Sequence, residues 1–78
     1  MDNDLQQRVT AIVHAYVAEA QWWQDVPGPC RASRHRLQRF IELDAPDLII
    51  EREVVILQRK ITSMQRHRLD AMSGQCPQ

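Results

Sequence analysis

Apolar residues recur at steps of three and four along the first third of the chain, which is the spacing of one face of an α-helix. The residues of this stripe are Leu5, Val9, Ile12, Val13, Tyr16, Val17, Ala20 and Trp23. Asn3 or Asp4 can cap the start, because a short side-chain oxygen accepts hydrogen bonds from the free amides of a first turn. Pro27 and Pro29 stop the pattern. It predicts a helix over about residues 4–24.

A second helical pattern follows the prolines. It places Ser33, Leu37, Phe40 and Ile41 on one side, and Arg31, Arg34, His35, Arg36 and Arg39 over the rest. We predict a helix over about residues 30–43. Asp44 is expected to cap the next helix, with Pro46 in its first turn and Asp47 at the positive end of the helix dipole.

The third pattern predicts a helix over about residues 45–72, roughly 40 Å long, which would overhang the first helix of about 30 Å. From Leu48 to Leu57 apolar residues lie on nearly every side, as in a helix surrounded by neighbours. Beyond that they form one seam. In heptad terms Val54 and Ile61 occupy a positions and Ile50, Leu57 and Met64 occupy d positions, until Arg68 breaks the next a position.

These patterns predict an all-α protein with a small three-helix arrangement, a single domain over residues 1–72 and a flexible polar tail over residues 73–78. We interpret the seam of the long third helix as a self-association surface, with a homodimer as the expected form. Its residues would be Leu57, Ile61, Met64 and Met72.

Length and composition narrow the class of protein. With 78 residues the chain supports one small domain with a thin core. The longest apolar run, Val54–Leu57, is far short of the roughly 20 residues that cross a bilayer, and the N-terminus lacks a basic-then-apolar leader. We therefore expect a soluble, cytoplasmic protein without a membrane partner. Two cysteines, Cys30 and Cys76, are too few for a disulfide framework, so free thiols are favoured over a bridge.

Signatures of catalysis and of cofactor binding are weak. The chain has no glycine-rich phosphate loop, and His14, His35 and His67 are too far apart in sequence for a zinc motif. Cys30 stands beside Arg31, a neighbour that could activate a thiol, but His35 does not share its helix face. A small core residue is the favoured interpretation of Cys30. We expect no cofactor, no metal and no enzymatic activity.

The net charge of zero is the sum of four alternating blocks. Residues 1–29 carry one basic and four acidic side chains, and residues 30–41 carry four basic and no acidic ones. Residues 42–53 then carry one basic and five acidic side chains, and residues 54–78 carry four basic and one acidic.

The arginines of the second helix have two interpretations. They could bind phosphates, or they could pair with acids if the helix folds back antiparallel and brings Arg34 and Arg36 to Glu51 and Glu53. An isoelectric point near 6.8 favours pairing, inside the chain or with a partner, over nucleic-acid binding.

Trp22 and Trp23 point about 100° apart on a helix, so they cannot share one core face. Trp23 follows the apolar stripe. Trp22 either anchors a partner, or it covers the turn at residues 27–29 or fills a second wall of the core. The sequence thus favours a non-enzymatic regulatory or adaptor protein that self-associates and binds an unknown protein partner. The partner-binding residues would be Trp22, Arg31, Arg34 and Arg39. The alternative is a small DNA- or RNA-binding regulator that uses the arginine-rich second helix.

Overall fold

Three helices form the part of the chain that the structure, a computed structural model, describes, which is residues 1–73. Helix α1 spans Asn3–Ala20, α2 spans Gly28–Glu42 and α3 spans Asp47–Ser73. Residues 1–73 contain no strand, so the predicted all-α, three-helix class is confirmed. Within this range, no helix combines the length and the hydropathy required to span a bilayer.

Helix α3 is the scaffold on which the other two helices pack. The N-terminal amino group lies 3.5 Å from Asp47 at the start of α3, and Glu19 near the end of α1 bonds to Arg68, so α1 runs parallel to α3. Near the start of α2, Cys30 lines one pocket with Lys60 and Met64, and further along α2 Arg36 lies 3.5 Å from Glu53, so α2 returns antiparallel to α3. The result is an elongated molecule of 50 × 22 × 17 Å.

The predicted seam of α3 forms the centre of the core. Ile50, Val54, Leu57, Ile61 and Met64 are buried together with Leu5 and Ile12 of α1 and Cys30 and Leu37 of α2. The seam is thus covered by α1 and α2 of the same chain.

This packing changes the interpretation of the self-association residues. Leu57, Ile61 and Met64 are 0%, 1% and 4% exposed, so in this fold they do not face a second copy. The heptad pattern marked a buried face correctly, but the helices that bury it belong to the same chain. Met72 differs, because it is exposed in the last turn of α3.

Apolar side chains in the first turns of α3 are more exposed to solvent than the sequence pattern predicted. Leu48 is 78% exposed and Val55 is 42% exposed. The expectation that this stretch is surrounded was wrong, because two helices pack on α3 within residues 1–73 and the side chains of Leu48 and Val55 face solvent.

The end of α1 differs from the prediction as well. The helix stops at Ala20, four residues before the expected end. Pro27 is the N-cap of α2 and Pro29 lies in its first turn, so the chain has to leave α1 early enough to turn before Pro27. The prolines thus start a helix, and residues 21–26 must reverse the chain direction. At the other end Asp2 caps α1 in place of Asn3 or Asp4, and its carboxylate accepts from the Leu5 amide at 2.8 Å.

Asp44 closes α2 and does not cap α3. Its φ angle is +55°, in the left-handed region, and its amide donates to Ile41 while the Ala45 amide donates to Phe40. These two bonds form a Schellman motif, which satisfies the last carbonyls of a helix. Pro46 precedes α3, and its carbonyl accepts from the amides of Ile49 and Ile50 at 2.9 and 3.2 Å.

The C-terminal boundary lies slightly later than predicted. Ser73, assigned to the tail by the sequence pattern, still belongs to α3. The rest of the predicted tail, residues 74–78 with Cys76, lies outside the described residues.

The Asp44 conformation predicts opposite responses to two substitutions. Asp44→Gly should leave the free energy of unfolding unchanged or raise it by up to about 1 kcal/mol, because glycine adopts positive φ without a steric cost. Asp44→Val should lower it by about 1–2 kcal/mol, because a β-branched residue is strained there. Urea unfolding measures both, and Asp44→Asn controls for the lost charge. A loss of stability in Asp44→Gly as large as that in Asp44→Val would contradict the left-handed conformation as the determinant at this position.

Candidate functional site

A buried ion pair joins the ends of α1 and α3. Glu19 falls seven residues after Ile12 on the core side of α1, and Arg68 falls seven residues after Ile61 on the seam of α3. The Arg68 guanidinium donates to both Glu19 carboxylate oxygens, at 2.7 and 3.0 Å. The Glu19 side chain is 2% exposed and that of Arg68 is 22% exposed. A bidentate pair of this kind is strong and directional.

Trp23 completes the hydrogen bonding of this carboxylate. Its indole N–H donates to Glu19 at 2.8 Å, and its ring stacks on His67 with centroids 5.9 Å apart. The hydrogen bond from Arg68 holds the pKa of Glu19 below its usual value; burial opposes this shift, and the Trp23 bond adds to it. Glu19 therefore stays ionised inside the fold.

Trp22 lies on the outer side of the same pair. It is 68% exposed, and the Arg68 guanidinium sits 5.0 Å from the centre of its ring. A cation over an indole face is attractive, so Arg68 holds Trp22 in place from below. Trp22, Ala71 and Met72 line one shallow depression of about 310 Å³. Trp22 and Met72, assigned from the sequence to two different contacts, thus lie beside each other.

The arginines of α2 are only partly free. Arg31 lies 3.5 Å from Asp25, with both side chains exposed, and Arg36 lies 3.5 Å from the buried Glu53. Arg34 donates to Gln38 in its own helix. Arg39 forms no ion pair within residues 1–73.

Of the two ion pairs expected between α2 and α3, one forms. Glu53 meets Arg36, but Glu51 pairs with Arg8 of α1 at 3.1 Å. Glu51 lies on the side of α3 that faces α1. The blocks of charge along the sequence do not show which neighbouring helix a side chain faces.

Cys30 is a core residue. It is a free cysteine, 2% exposed, at the start of α2. Burial raises the pKa of its thiol, and the nearby charge of Lys60 offsets this only in part. A high pKa and a closed environment do not suit a nucleophile.

Metal ligands do not cluster in the described residues. Within residues 1–73, no group of three or more His, Cys, Asp or Glu side chains could hold an ion. His14 and His35 are exposed on separate helices, and His67 stacks on Trp23.

The sequence reasoning missed Glu19 altogether and treated Arg68 only as the end of a seam. The available signal was that each interrupts an apolar heptad seam, on different helices and with opposite charges.

Comparisons of the chain with protein-family models, with curated proteins and with solved structures give no match.

The ion pair should be the most sensitive polar contact of the fold. Glu19→Gln leaves the Arg68 charge without its partner, and we expect a loss of about 2–3 kcal/mol in the free energy of unfolding. Fully buried pairs lose about 3–5 kcal/mol, and Arg68 keeps some contact with water. Urea unfolding at pH 7 measures the loss.

The matched control is Glu51→Gln. It breaks an ion pair whose side chains are 41% and 48% exposed, so the loss should stay below about 1 kcal/mol. Equal losses in the two variants would contradict a special role for Glu19.

The same pair predicts part of the acid sensitivity of the fold. The folded-state pKa of Glu19 lies below 4.5. The stability that its ionised carboxylate gives the fold is therefore present above pH 4.5 and is lost as the pH falls through the folded-state pKa. The difference in unfolding free energy between wild type and Glu19→Gln should narrow over that range. A difference that is constant with pH would contradict the lowered pKa.

Burial of Cys30 predicts slow thiol chemistry. In a Cys76→Ser background Cys30 is the only thiol, and iodoacetamide at neutral pH should alkylate it at least about tenfold more slowly in the folded protein than in urea. Mass spectrometry follows the reaction. Equal rates would show that the thiol is accessible and would reopen a thiol-dependent function.

Proposed function

We propose that this protein acts by binding another protein, as a non-enzymatic regulatory or adaptor protein, and that Trp22 anchors the contact. The observation that carries the proposal is a large aromatic side chain, 68% exposed, fixed over a guanidinium that is itself locked by a buried carboxylate.

A fixed tryptophan is well suited to binding. Trp is enriched among residues that dominate interface energies. Because Arg68 already restrains the ring, a partner that packs on it loses little side-chain entropy on association. Since Arg68 is neutralised by Glu19, the ring presents apolar surface without an uncompensated charge beneath it.

The shape of the depression supports an apolar partner group. Its floor and walls are Trp22, Ala71 and Met72, together with Trp23, His67 and Arg68. Leu69 and Met72, both more than half exposed, extend the apolar surface along the last turns of α3. The partner contact is expected to be an apolar side chain that inserts between Trp22 and Met72.

A second copy of the chain that contacts Met72 would use this same surface. Of the four residues assigned to it from the sequence, only Met72 is exposed. A second copy is therefore one outcome of the experiment below, and the proposal is a different protein.

Nucleic-acid binding by α2 has less support. Two of the four arginines of α2 lie beside acids, which leaves Arg34 and Arg39 to contact phosphates.

Substitution of Trp22 tests the proposal. Tagged wild type, Trp22→Ala and Leu43→Ala are used to capture proteins from the native host. Leu43 is the matched control, because it is 67% exposed and follows α2 at the opposite end of the molecule. We expect a protein that wild type and Leu43→Ala retain and Trp22→Ala loses by at least tenfold. With the purified partner, the Trp22→Ala Kd should rise at least about 30-fold.

Three results would overturn the proposal. One is equal retention of every protein by wild type and Trp22→Ala. Another is material retained only as nucleic acid and released by nuclease. The third is a wild-type dimer, seen by sedimentation at high micromolar concentration and lost in Trp22→Ala, because the partner would then be a second copy.

A further inference from the structure

The solvent side of α3 carries a regular stripe. Arg52, Arg59 and Arg66 recur every seven residues. Three apolar residues share their side of the helix: Leu48 lies four residues before Arg52, Val55 three residues after it, and Leu69 three residues after Arg66. We call the set Leu48, Arg52, Val55, Arg59, Arg66 and Leu69 the outer stripe. Steps of three and four place its members on one side of the helix, away from the core seam.

The apolar members are open to solvent. Leu48 is 78% exposed, Leu69 54% and Val55 42%. Single exposed apolar residues are common on protein surfaces. Here they keep one register along α3 over about 32 Å, with the polar Thr62 at the heptad position between Val55 and Leu69.

The arginines of the stripe carry uncompensated charge. Within residues 1–73 none of the three forms an ion pair, whereas Arg8, Arg36 and Arg68 all do. The acids near the start of α3 are engaged elsewhere: Asp47 with the N-terminus, Glu51 with Arg8 and Glu53 with Arg36. Asp70, one turn beyond Arg66, does not pair with it.

A groove borders the stripe on the side of α1. Ala11 and Ala15 of α1 and Val55 and Arg59 of α3 are among its lining residues, and it encloses about 620 Å³. Small side chains on one wall allow the axis of another helix to approach closely. The groove and the stripe together form a single surface along α1 and α3.

We infer that this surface docks an amphipathic helix of a partner protein that carries Asp or Glu at every seventh position beside apolar residues. The inference rests on the proposed function, since it names a class of protein partner. Arginines about 10.5 Å apart match acids at the same helical repeat, and the apolar members match the apolar side of that helix. Complementary charge then sets the register.

A second copy of the chain and a nucleic acid both fit this surface less well than an acidic amphipathic helix. A second copy, in parallel or antiparallel orientation, would bring the arginines of two stripes together and repel. A nucleic acid would gain from the arginines but would leave Leu48, Val55 and Leu69 against phosphate, on a chain with no net charge.

A synthetic helical peptide with leucines and glutamates at matching heptad positions serves as the probe, and fluorescence anisotropy measures its binding at low salt. The stripe variant is Arg52→Glu, Arg59→Glu and Arg66→Glu together. Its control is Arg31→Glu, Arg34→Glu and Arg39→Glu together on α2, which changes the net charge equally. Circular dichroism verifies that both variants keep their helices.

We expect the glutamate peptide to bind wild type and the α2 control and to lose at least tenfold in affinity for the stripe variant. A lysine version of the peptide should prefer the stripe variant. The double variant Leu48→Ser, Val55→Ser should weaken binding at least about fivefold, which charge attraction alone would not produce.

Several results would overturn the inference: no binding of the glutamate peptide, equal binding of a scrambled peptide of the same composition, or an equal loss in the α2 control. Duplex DNA that binds more tightly than the peptide, or a wild-type dimer that the stripe variant abolishes, would assign the surface to another occupant. Trp22→Ala separates the two proposals, since it should leave peptide binding unchanged. Loss of peptide binding in Trp22→Ala but not in the stripe variant would overturn the stripe while leaving the Trp22 proposal intact.

Discussion

A carboxylate buried at the end of α1 constrains the arrangement of this molecule. Glu19 occupies a core position, and an ionised group there is tolerated only where charged and polar donors meet it. Arg68 and Trp23 supply those donors. A shift of α1 by one heptad along α3 would place Glu19 against Ile61 and would leave the charges of Glu19 and Arg68 without their partners. The pair thus favours one register and the parallel direction of α1.

The same contact links the interior to the surface. The indole N–H of Trp23 donates to Glu19 in the partly buried interior, while the exposed ring of Trp22 lies against the Arg68 guanidinium. Two neighbouring tryptophans that a helix would point in different directions are therefore both held by one ion pair. The exposed ring of Trp22 lies against the same ion pair that joins α1 to α3, so the stability of the fold and the shape of the proposed contact depend on Glu19 and Arg68.

The net charge of the chain is zero, but the charges are not compensated evenly over its surface. Three acids near the start of α3 are taken up by the N-terminus, Arg8 and Arg36. Among residues 1–73, this pairing uses the N-terminal amine, Arg8 and Arg36 and leaves the arginines on the outer side of α3 with no acidic partner. Neutrality of the chain therefore coexists with a basic stripe, because the compensation of charge is local and uneven.

The sequence by itself determined the number of helices, their order and which face of each is apolar, because the spacing of apolar residues and the prolines are local properties. It also marked Ile50, Val54, Leu57, Ile61 and Met64 as one buried seam. Tertiary structure alone decided what covers that seam. Periodicity identifies a face to be buried but not the partner that buries it, so a second copy and two helices of the same chain looked alike. The pairing of Glu19 with Arg68 depends likewise on the direction of α1 along α3, which no local pattern specifies.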